Sequence, residues 1–128
     1  MSALNLNALS LDTFQATPTL ENDRLAVRFA GNGDMNAIAP LSAFLKQVHE
    51  EAMRLTVTEV RCDLQQLVFM NSSCFKSFVV WIDTVKNAQP GYLIRFLTDP
   101  SVHWQRRSLE ALRRLATNIV ELETAQKG

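Results

Sequence analysis

The segment of this 128-residue sequence that decides the fold is LVFMNSSCF, residues 67–75. Four apolar residues lead into a polar turn, and after the turn apolar residues recur at helical spacing as far as Val85. Asn71, Ser72 or Ser73 can cap this helix, because the side-chain oxygen of each accepts a hydrogen bond from a free backbone N–H. The segment therefore predicts an extended run, a short turn and a helix.

Strand and helix patterns alternate on both sides of this segment. Four stretches have strand patterns: residues 24–29, 56–64, 92–97 and 119–122. Apolar residues at spacings of three and four predict a helix at 38–53 and another after the turn at 99–101. This order predicts an α/β layer fold with a largely parallel sheet and right-handed crossovers.

The composition indicates one domain with looser ends. Residues 1–18 are polar and small and predict a loose or edge-pairing N-terminal arm; the α/β domain spans 19–123, and 124–128 form a frayed tail. Asn22 and Asp23 predict a turn between residues 19–21 and the strand pattern at 24–29. A hydrophobic share of 47% and a charged share of 20% are typical of a globular domain with its own core.

Charge and motif content argue against several functions. Lys plus Arg equals Asp plus Glu at 13 each, so a net charge of zero gives no reason to expect nucleic-acid binding. No apolar run approaches the ~20 residues that span a bilayer, and residues 1–10 lack the basic start of a secretory signal. Cys62 and Cys74 lack metal-ligand spacing, and no glycine motif for dinucleotides or phosphates occurs. We therefore expect a cytoplasmic protein without membrane insertion, metal, cofactor or enzymatic activity.

A longer run around the central segment carries a family resemblance. The run is TEVRCDLQQLVFMNSS, residues 58–73, with GNGD at 31–34 upstream and YLIRFLTDPSV at 92–102 downstream. These elements resemble those of STAS domains, the family of bacterial anti-sigma factor antagonists and the cytoplasmic tails of sulfate transporters. The resemblance covers residues 19–123. It implies a superhelix of strand–helix units with a mostly parallel central sheet and an N-terminal strand pairing at the edge.

The resemblance also implies a modification site. The family's phosphoacceptor is the second Ser of Asp-Ser-Ser-Gly and falls on Ser73, with Ser72 as the alternative. Asn71 replaces the Asp and keeps its capping oxygen, whereas Cys74 replaces the Gly and adds a side chain that crowds an approaching partner. Lys76 lies three residues after Ser73, on the same helix face. Asn71, Cys74 and Lys76 are thus candidate partner-binding residues, with plain capping and a solvated lysine as the alternatives.

The function that the resemblance implies is that of a small bacterial switch in signal transduction and transcription regulation. Such a protein binds a Ser/Thr kinase of the anti-sigma type, is released when Ser73 is phosphorylated, and is restored by a phosphatase. We expect a monomer or a weak dimer. The alternative is an accessory or scaffold subunit of a transporter or signalling complex that is not phosphorylated.

The last helix and Cys74 have further interpretations. Its inner face is predicted to contain Leu109, Leu112, Leu115 and Ala116. Its arginines repeat at seven residues, which predicts that they share one side: Arg106, Arg107, Arg113 and Arg114. This side is a site for a phosphate group, another ligand or an acidic partner, or else a solvated basic face. Cys74, at a helix start, is a candidate for a lowered thiol pKa and a redox role.

Overall fold

The computed structural model describes residues 4–88 and 90–124. Within these ranges the strands are β1 Leu9–Ser10, β2 Phe14–Glu21, β3 Arg24–Gly33, β4 Glu59–Met70, β5 Leu93–Thr98 and β6 Val120–Thr124. The helices are α1 Ile38–Leu55, α2 Ser72–Lys86 and α3 His103–Leu115, with a short 3-10 helix at Met35–Ala37. The strands follow their sequence order in one sheet. β1, β2 and β3 are antiparallel neighbours and β3 to β6 are parallel, which confirms the predicted α/β architecture.

Alternating apolar residues build one buried face of this sheet. Every second residue of the central strands is buried there: Leu25, Val27, Phe29, Val60, Cys62, Leu64, Ile94 and Phe96. The three helices cover this face and share its hydrophobic core. The opposite face carries cross-strand ion pairs: Arg95 pairs with both Glu59 and Glu121, and Arg61 pairs with Glu123.

Two strands are longer than the sequence predicted. β2 begins at Phe14, because Phe14 and Ala16 alternate into the core, so residues 14–18 of the predicted arm belong to the sheet. β4 is one strand of 12 residues that includes the apolar run at 67–70. The division at residue 18 stays a prediction, and residues 125–128 of the predicted tail lie outside the described residues.

Aromatic side chains fix the position of α2. Phe78 packs edge-to-face against Phe29 and Phe96, with ring centroids 5.6 and 5.9 Å apart. The buried Trp81 indole donates from Nε1 to the Tyr92 hydroxyl at 3.0 Å, so its polar atom has a partner. The inner face of α2 is thereby anchored to the core, and its first turn is held at the edge of the sheet.

α3 covers an edge of β4 that β5 leaves open. β5 pairs with β4 only as far as Asp63 and Leu97, although β4 continues to residue 70. The fully buried Gln105 side chain meets the remaining part of β4: its Nε2 donates to the carbonyls of Leu64 and Leu67 at 2.6 and 3.0 Å. Backbone groups that would otherwise lack a strand partner are thus satisfied by a helix side chain.

Candidate functional site

Three turns lie at the same end of the sheet. β3, β4 and β5 run parallel, so their carboxyl ends point the same way and are followed by the turns at 34, at 71 and at 99–102, although β4 extends beyond β5. The first two turns are joined directly, because the Asn71 N–H donates to the Gly33 carbonyl at 2.7 Å. This edge is where α/β sheets generally place binding sites.

Asn71 is the N-cap of α2. Its backbone is extended (φ −62°, ψ 145°), and its side-chain Oδ1 accepts a hydrogen bond from the Ser73 N–H at 2.7 Å. A side chain at this position satisfies one of the N–H groups that a helix start leaves unpaired. The capping role predicted for the polar turn therefore belongs to Asn71 among the three candidates.

The two predicted phosphoacceptors lie directly after this cap. Ser72 is exposed and Ser73 is half-buried, and within the described residues neither hydroxyl makes a hydrogen bond. Lys76 is exposed one turn further along α2. A phosphate on either serine would lie at the positive end of the α2 dipole, which favours negative charge. The roles of Ser72 and Ser73 as phosphoacceptors and of Asn71 and Lys76 as partner-binding residues stay predictions.

Cys74 does not take part in this surface. Its side chain is fully buried and its thiol donates to the Asp34 carbonyl, with an Sγ–O distance of 3.4 Å. Burial, together with the nearby Asp34 carboxylate, raises the pKa of the Cys74 thiol. Both predictions for Cys74, contact with a partner and a lowered thiol pKa, are therefore wrong. The reason is that the third residue of α2 turns inward against the loop after β3.

Asp34 orders that neighbouring loop. Its Oδ1 accepts from the Asn36 N–H at 3.1 Å and its Oδ2 from the Thr13 hydroxyl at 3.0 Å. The carboxylate thus ties the start of the 3-10 helix to the segment before β2. The sequence signal for this role is the break GNGD, although its spacing alone did not show which residue holds the loop.

Three large apolar side chains near the carboxyl ends of β3 and β4 are exposed. Met35 is 75%, Val68 65% and Phe69 49% exposed, and we call these three residues the apolar rim. Phe69 pairs with Asn32 in the β3–β4 register. Met35 therefore lies close to the same end of β4, two residues after the end of β3. The sequence analysis missed the rim, because a continuous apolar run such as 67–70 ordinarily indicates burial. The available signal was its position directly before a polar turn.

The arginines of α3 divide into two groups. Arg106, Arg107 and Arg114 line a shallow groove along the outside of α3. Arg113 forms an ion pair with Glu110 and does not line the groove. The role of the four arginines as a ligand or partner site stays a prediction. Other described features show no metal centre, since no group of three His, Cys, Asp or Glu side chains among the described residues is arranged to hold an ion.

The inner face of α3 also differs from the prediction at one position. Leu109, Leu112 and Ala116 are buried, but Leu115 is 46% exposed. The buried residue that completes this face is Gln105, four residues before Leu109.

Among the helices of residues 4–88 and 90–124, none combines the length and the apolar character needed to cross a membrane.

Comparisons with known proteins identify the fold. No protein-family model and no curated protein matches the chain. Among solved structures, it is similar to an anti-sigma factor antagonist from Mycobacterium paratuberculosis, with 14% identity, a TM-score of 0.65 and 88% of each chain covered. It is also similar to the anti-sigma factor antagonist SpoIIAA in its unphosphorylated form, with 19% identity, a TM-score of 0.59 and 89% of each chain covered.

A third similar structure comes from a signalling complex. It is a chain of the complex of the diguanylate cyclase SiaD with its activator SiaC from Pseudomonas aeruginosa, with 13% identity and a TM-score of 0.62. The match covers 93% of this chain and 99% of that one. These likenesses confirm the predicted fold: the chain has the STAS fold of anti-sigma factor antagonists.

Proposed function

We propose that this protein is a regulatory protein that binds another protein at the edge around the start of α2 and releases it when Ser73 is phosphorylated. The observation that carries the proposal is the capping of α2 by Asn71, because it leaves the hydroxyls of Ser72 and Ser73 without a structural task. The fold it shares with anti-sigma factor antagonists supports a partner-binding role. Ser72 is the alternative acceptor.

The apolar rim supplies the contact area for such a partner. Met35, Val68 and Phe69 are large apolar side chains, and clusters of this kind on a protein surface mark interaction sites. Polar groups surround them, since Asn71 and Lys76 lie at the same edge. The arrangement has the composition of a small interface, with an apolar centre and a polar border. We propose as partner a Ser/Thr kinase of the anti-sigma type, opposed by a phosphatase.

Phosphorylation at this position would change binding and leave the fold in place. A dianion at a helix N-terminus interacts favourably with the dipole and the free N–H groups, by about 0.3–1 kcal/mol at an exposed site. The same charge beside the apolar rim must lose its hydration when a partner covers it, which is costly unless the partner supplies a counter-charge. Phosphorylation therefore acts as a release signal.

Intact-mass analysis and site mapping of the protein from its native cells test the modification. We expect a single phosphate on Ser73, or on Ser72, under some growth condition. The Ser73→Ala and Ser72→Ala variants remove the two acceptors in turn, and Ser77→Ala, one turn further along α2, is the matched control. Phosphate that persists in a Ser72→Ala, Ser73→Ala double variant would assign the modification elsewhere and contradict the proposal.

Binding is tested separately at the apolar rim. The partner is isolated from native cells with the unphosphorylated protein, and its affinity is measured by calorimetry. We expect Phe69→Ala to weaken binding by at least about tenfold, since exposed aromatic side chains often dominate interfaces. Val80→Ala is the control, because Val80 is 66% exposed on α2 outside the rim. Equal losses in both variants would show that the rim is not the binding surface.

The exposed apolar rim also favours a second candidate function. A constant binding surface needs no phosphate, so the protein would serve as an accessory or scaffold subunit of a transporter or signalling complex. The Ser73→Asp variant separates the two functions. Loss of the partner by at least about tenfold in affinity supports the switch, whereas unchanged affinity together with an unphosphorylated native protein supports the accessory subunit.

A further inference from the structure

We propose that the outer face of α3 is a second docking surface, and that it binds an acidic amphipathic helix of a protein partner. The surface is the α3 groove, which is lined by Trp104, Ser108 and Ala111 together with Arg106, Arg107 and Arg114. The inference does not rest on phosphorylation of Ser73, because no residue of the groove belongs to the start of α2.

Among residues 4–88 and 90–124, the arginines that line the groove outnumber the carboxylates there. Arg106, Arg107 and Arg114 have no ion-pair partner among residues 4–88 and 90–124, whereas Arg113 holds Glu110. Glu110 is the acidic residue that lines the groove, so the cations there outnumber the carboxylates. All four cations of α3 are arginines, whose planar guanidinium groups bind carboxylates through two parallel hydrogen bonds. An anionic occupant is the chemical complement of this face.

The spacing of three groove residues and the neighbouring Leu115 matches the seam of a helix pair. Trp104, Ser108, Ala111 and Leu115 follow one another at intervals of four, three and four residues, which is the spacing of the two core positions in a heptad repeat. Arg107 and Arg114 each stand one residue before a seam position. In coiled coils this flanking position carries the charged residue that chooses the partner. Over the length of α3 the seam extends for about 16 Å.

The seam is also accessible and held in shape. Leu115 is 46% exposed, and the small side chain of Ala111 leaves a depression between Arg107 and Arg114. Trp104 is fixed at the other end, because its Nε1 donates to the Val68 carbonyl at 2.8 Å. A helix that enters this face therefore meets a preformed surface with an aromatic anchor, and both Trp and Arg are enriched at positions that dominate binding.

A protein helix fits this face better than a nucleotide or a nucleic acid does. Small ligands occupy concave sites that enclose most of their surface, whereas the α3 groove is open to solvent. Nucleic acids are attracted by a broad positive field, and this sequence has a net charge of zero. A seam of Trp104, Ser108, Ala111 and Leu115 with flanking arginines matches an amphipathic helix with glutamates at the facing positions.

Fluorescence anisotropy with a labelled, designed peptide tests the proposal. The probe has three heptads, with Leu and Ala at the seam positions and Glu at the flanking positions, and binding is measured at about 150 mM salt. We expect saturable binding below about 1 mM. The Arg107→Gln, Arg114→Gln double variant should weaken it at least about tenfold. The matched control is Arg28→Gln, Lys86→Gln, which removes two exposed cations away from α3 and should change the affinity less than about twofold.

Two comparison ligands decide the nature of the occupant. A peptide of the same composition, with its glutamates moved to the positions that face away from α3, should bind at least about tenfold more weakly. A single-stranded oligonucleotide of equal charge should also bind more weakly than the designed helix. The proposal is overturned if the designed peptide does not bind, if the two peptides or the two double variants behave alike, or if the oligonucleotide binds more tightly. Circular dichroism verifies that each variant is folded.

Discussion

The starts of α2 and α3 occupy equivalent places in the fold and use their polar side chains in opposite ways. Each helix follows a parallel strand at the same edge of the sheet. α2 begins with a side-chain cap, Asn71, and then presents Ser72 and Ser73, whose hydroxyls make no hydrogen bond within the described residues. α3 begins at His103, its N-cap Val102 makes no side-chain cap, and the polar side chain of Gln105 in its first turn is completely buried.

The difference shows at which helix start a side chain can be modified without breaking hydrogen bonds that hold the fold. The Gln105 amide accepts from the Asp99 N–H at 3.0 Å and donates to two carbonyls of β4, so it connects three segments. Any change at Gln105 disturbs the sheet edge. The hydroxyls of Ser72 and Ser73 make no hydrogen bond among the described residues, so a modification there breaks no such contact. A reversible signal requires the second kind of site, and this comparison supports the proposed function more directly than the sequence motif does.

The largest expected effect is the loss of the buried amide of α3. Gln105→Ala removes three hydrogen bonds and leaves a cavity at the β4 edge, so we expect the free energy of unfolding to fall by about 3 kcal/mol or more. Urea denaturation measures it. The control is Gln47→Ala on the exposed side of α1, which should change the stability by less than about 0.5 kcal/mol. A small effect at Gln105 would mean that water replaces the amide.

Removal of the α2 cap should have an intermediate effect. Asn71→Ala loses the hydrogen bond to the Ser73 N–H, and we expect a loss of about 1 kcal/mol in denaturation experiments. Asn71→Asp keeps the accepting oxygen and adds a charge at the positive end of the dipole, so its stability should be equal to the parent or slightly higher. If Asn71→Ala were as stable as the parent, a serine hydroxyl would replace the cap and would be less available as a phosphoacceptor.

A negative charge should act in opposite directions at the two helix starts. Ser73→Asp places it beside the α2 dipole, and we expect a gain of about 0.3–1 kcal/mol. At α3, the Ser101 N–H and hydroxyl both donate to the Asp99 carboxylate, at 2.9 and 2.8 Å. Ser101→Asp loses one of these bonds and adds repulsion, so we expect a loss of about 0.5–1 kcal/mol. Thermal melts of both variants compare them, and a strong loss at Ser73 would show that the switch acts by unfolding.

The sequence predicted those elements whose residues follow a simple period. The alternation of Val60, Cys62 and Leu64 located a strand, and the polar turn before a helical pattern located the cap and both serines. Such patterns reflect local backbone geometry, and the structure repeats them directly. The STAS fold followed from their order together with the family resemblance.

The remaining features depend on tertiary contacts that no local pattern contains. Gln105 lies four residues before Leu109 and seven before Leu112, so its position on the inner face was available, but an amide there gave no sign of the strand edge that it satisfies. Cys74 had the position of a reactive thiol, and only the loop after β3 shows that it is covered. The exposure of Val68 and Phe69 was missed because β4 extends beyond the last residue that pairs with β5.

Thiol reactivity should differ sharply between positions 72 and 74 in the first turn of α2, with the smallest effect on stability of the changes considered. The pKa of the Cys74 thiol is raised by burial and by Asp34, and burial also raises that of Cys62, so few thiolates form in the folded protein. Because the thiolate is the reactive species, we expect no alkylation of either residue by iodoacetamide at about pH 8.5 until urea unfolds the chain.

The matched control is Ser72→Cys, whose new thiol is exposed at the helix N-terminus, where the dipole lowers a thiol pKa. It should be alkylated rapidly in the folded protein, as mass spectrometry of the modified peptide would show. Rapid labelling of Cys74 in the folded parent would mean that the first turn of α2 opens readily, and a start that opens could not hold Ser72 and Ser73 in the fixed geometry on which the comparison with α3 depends.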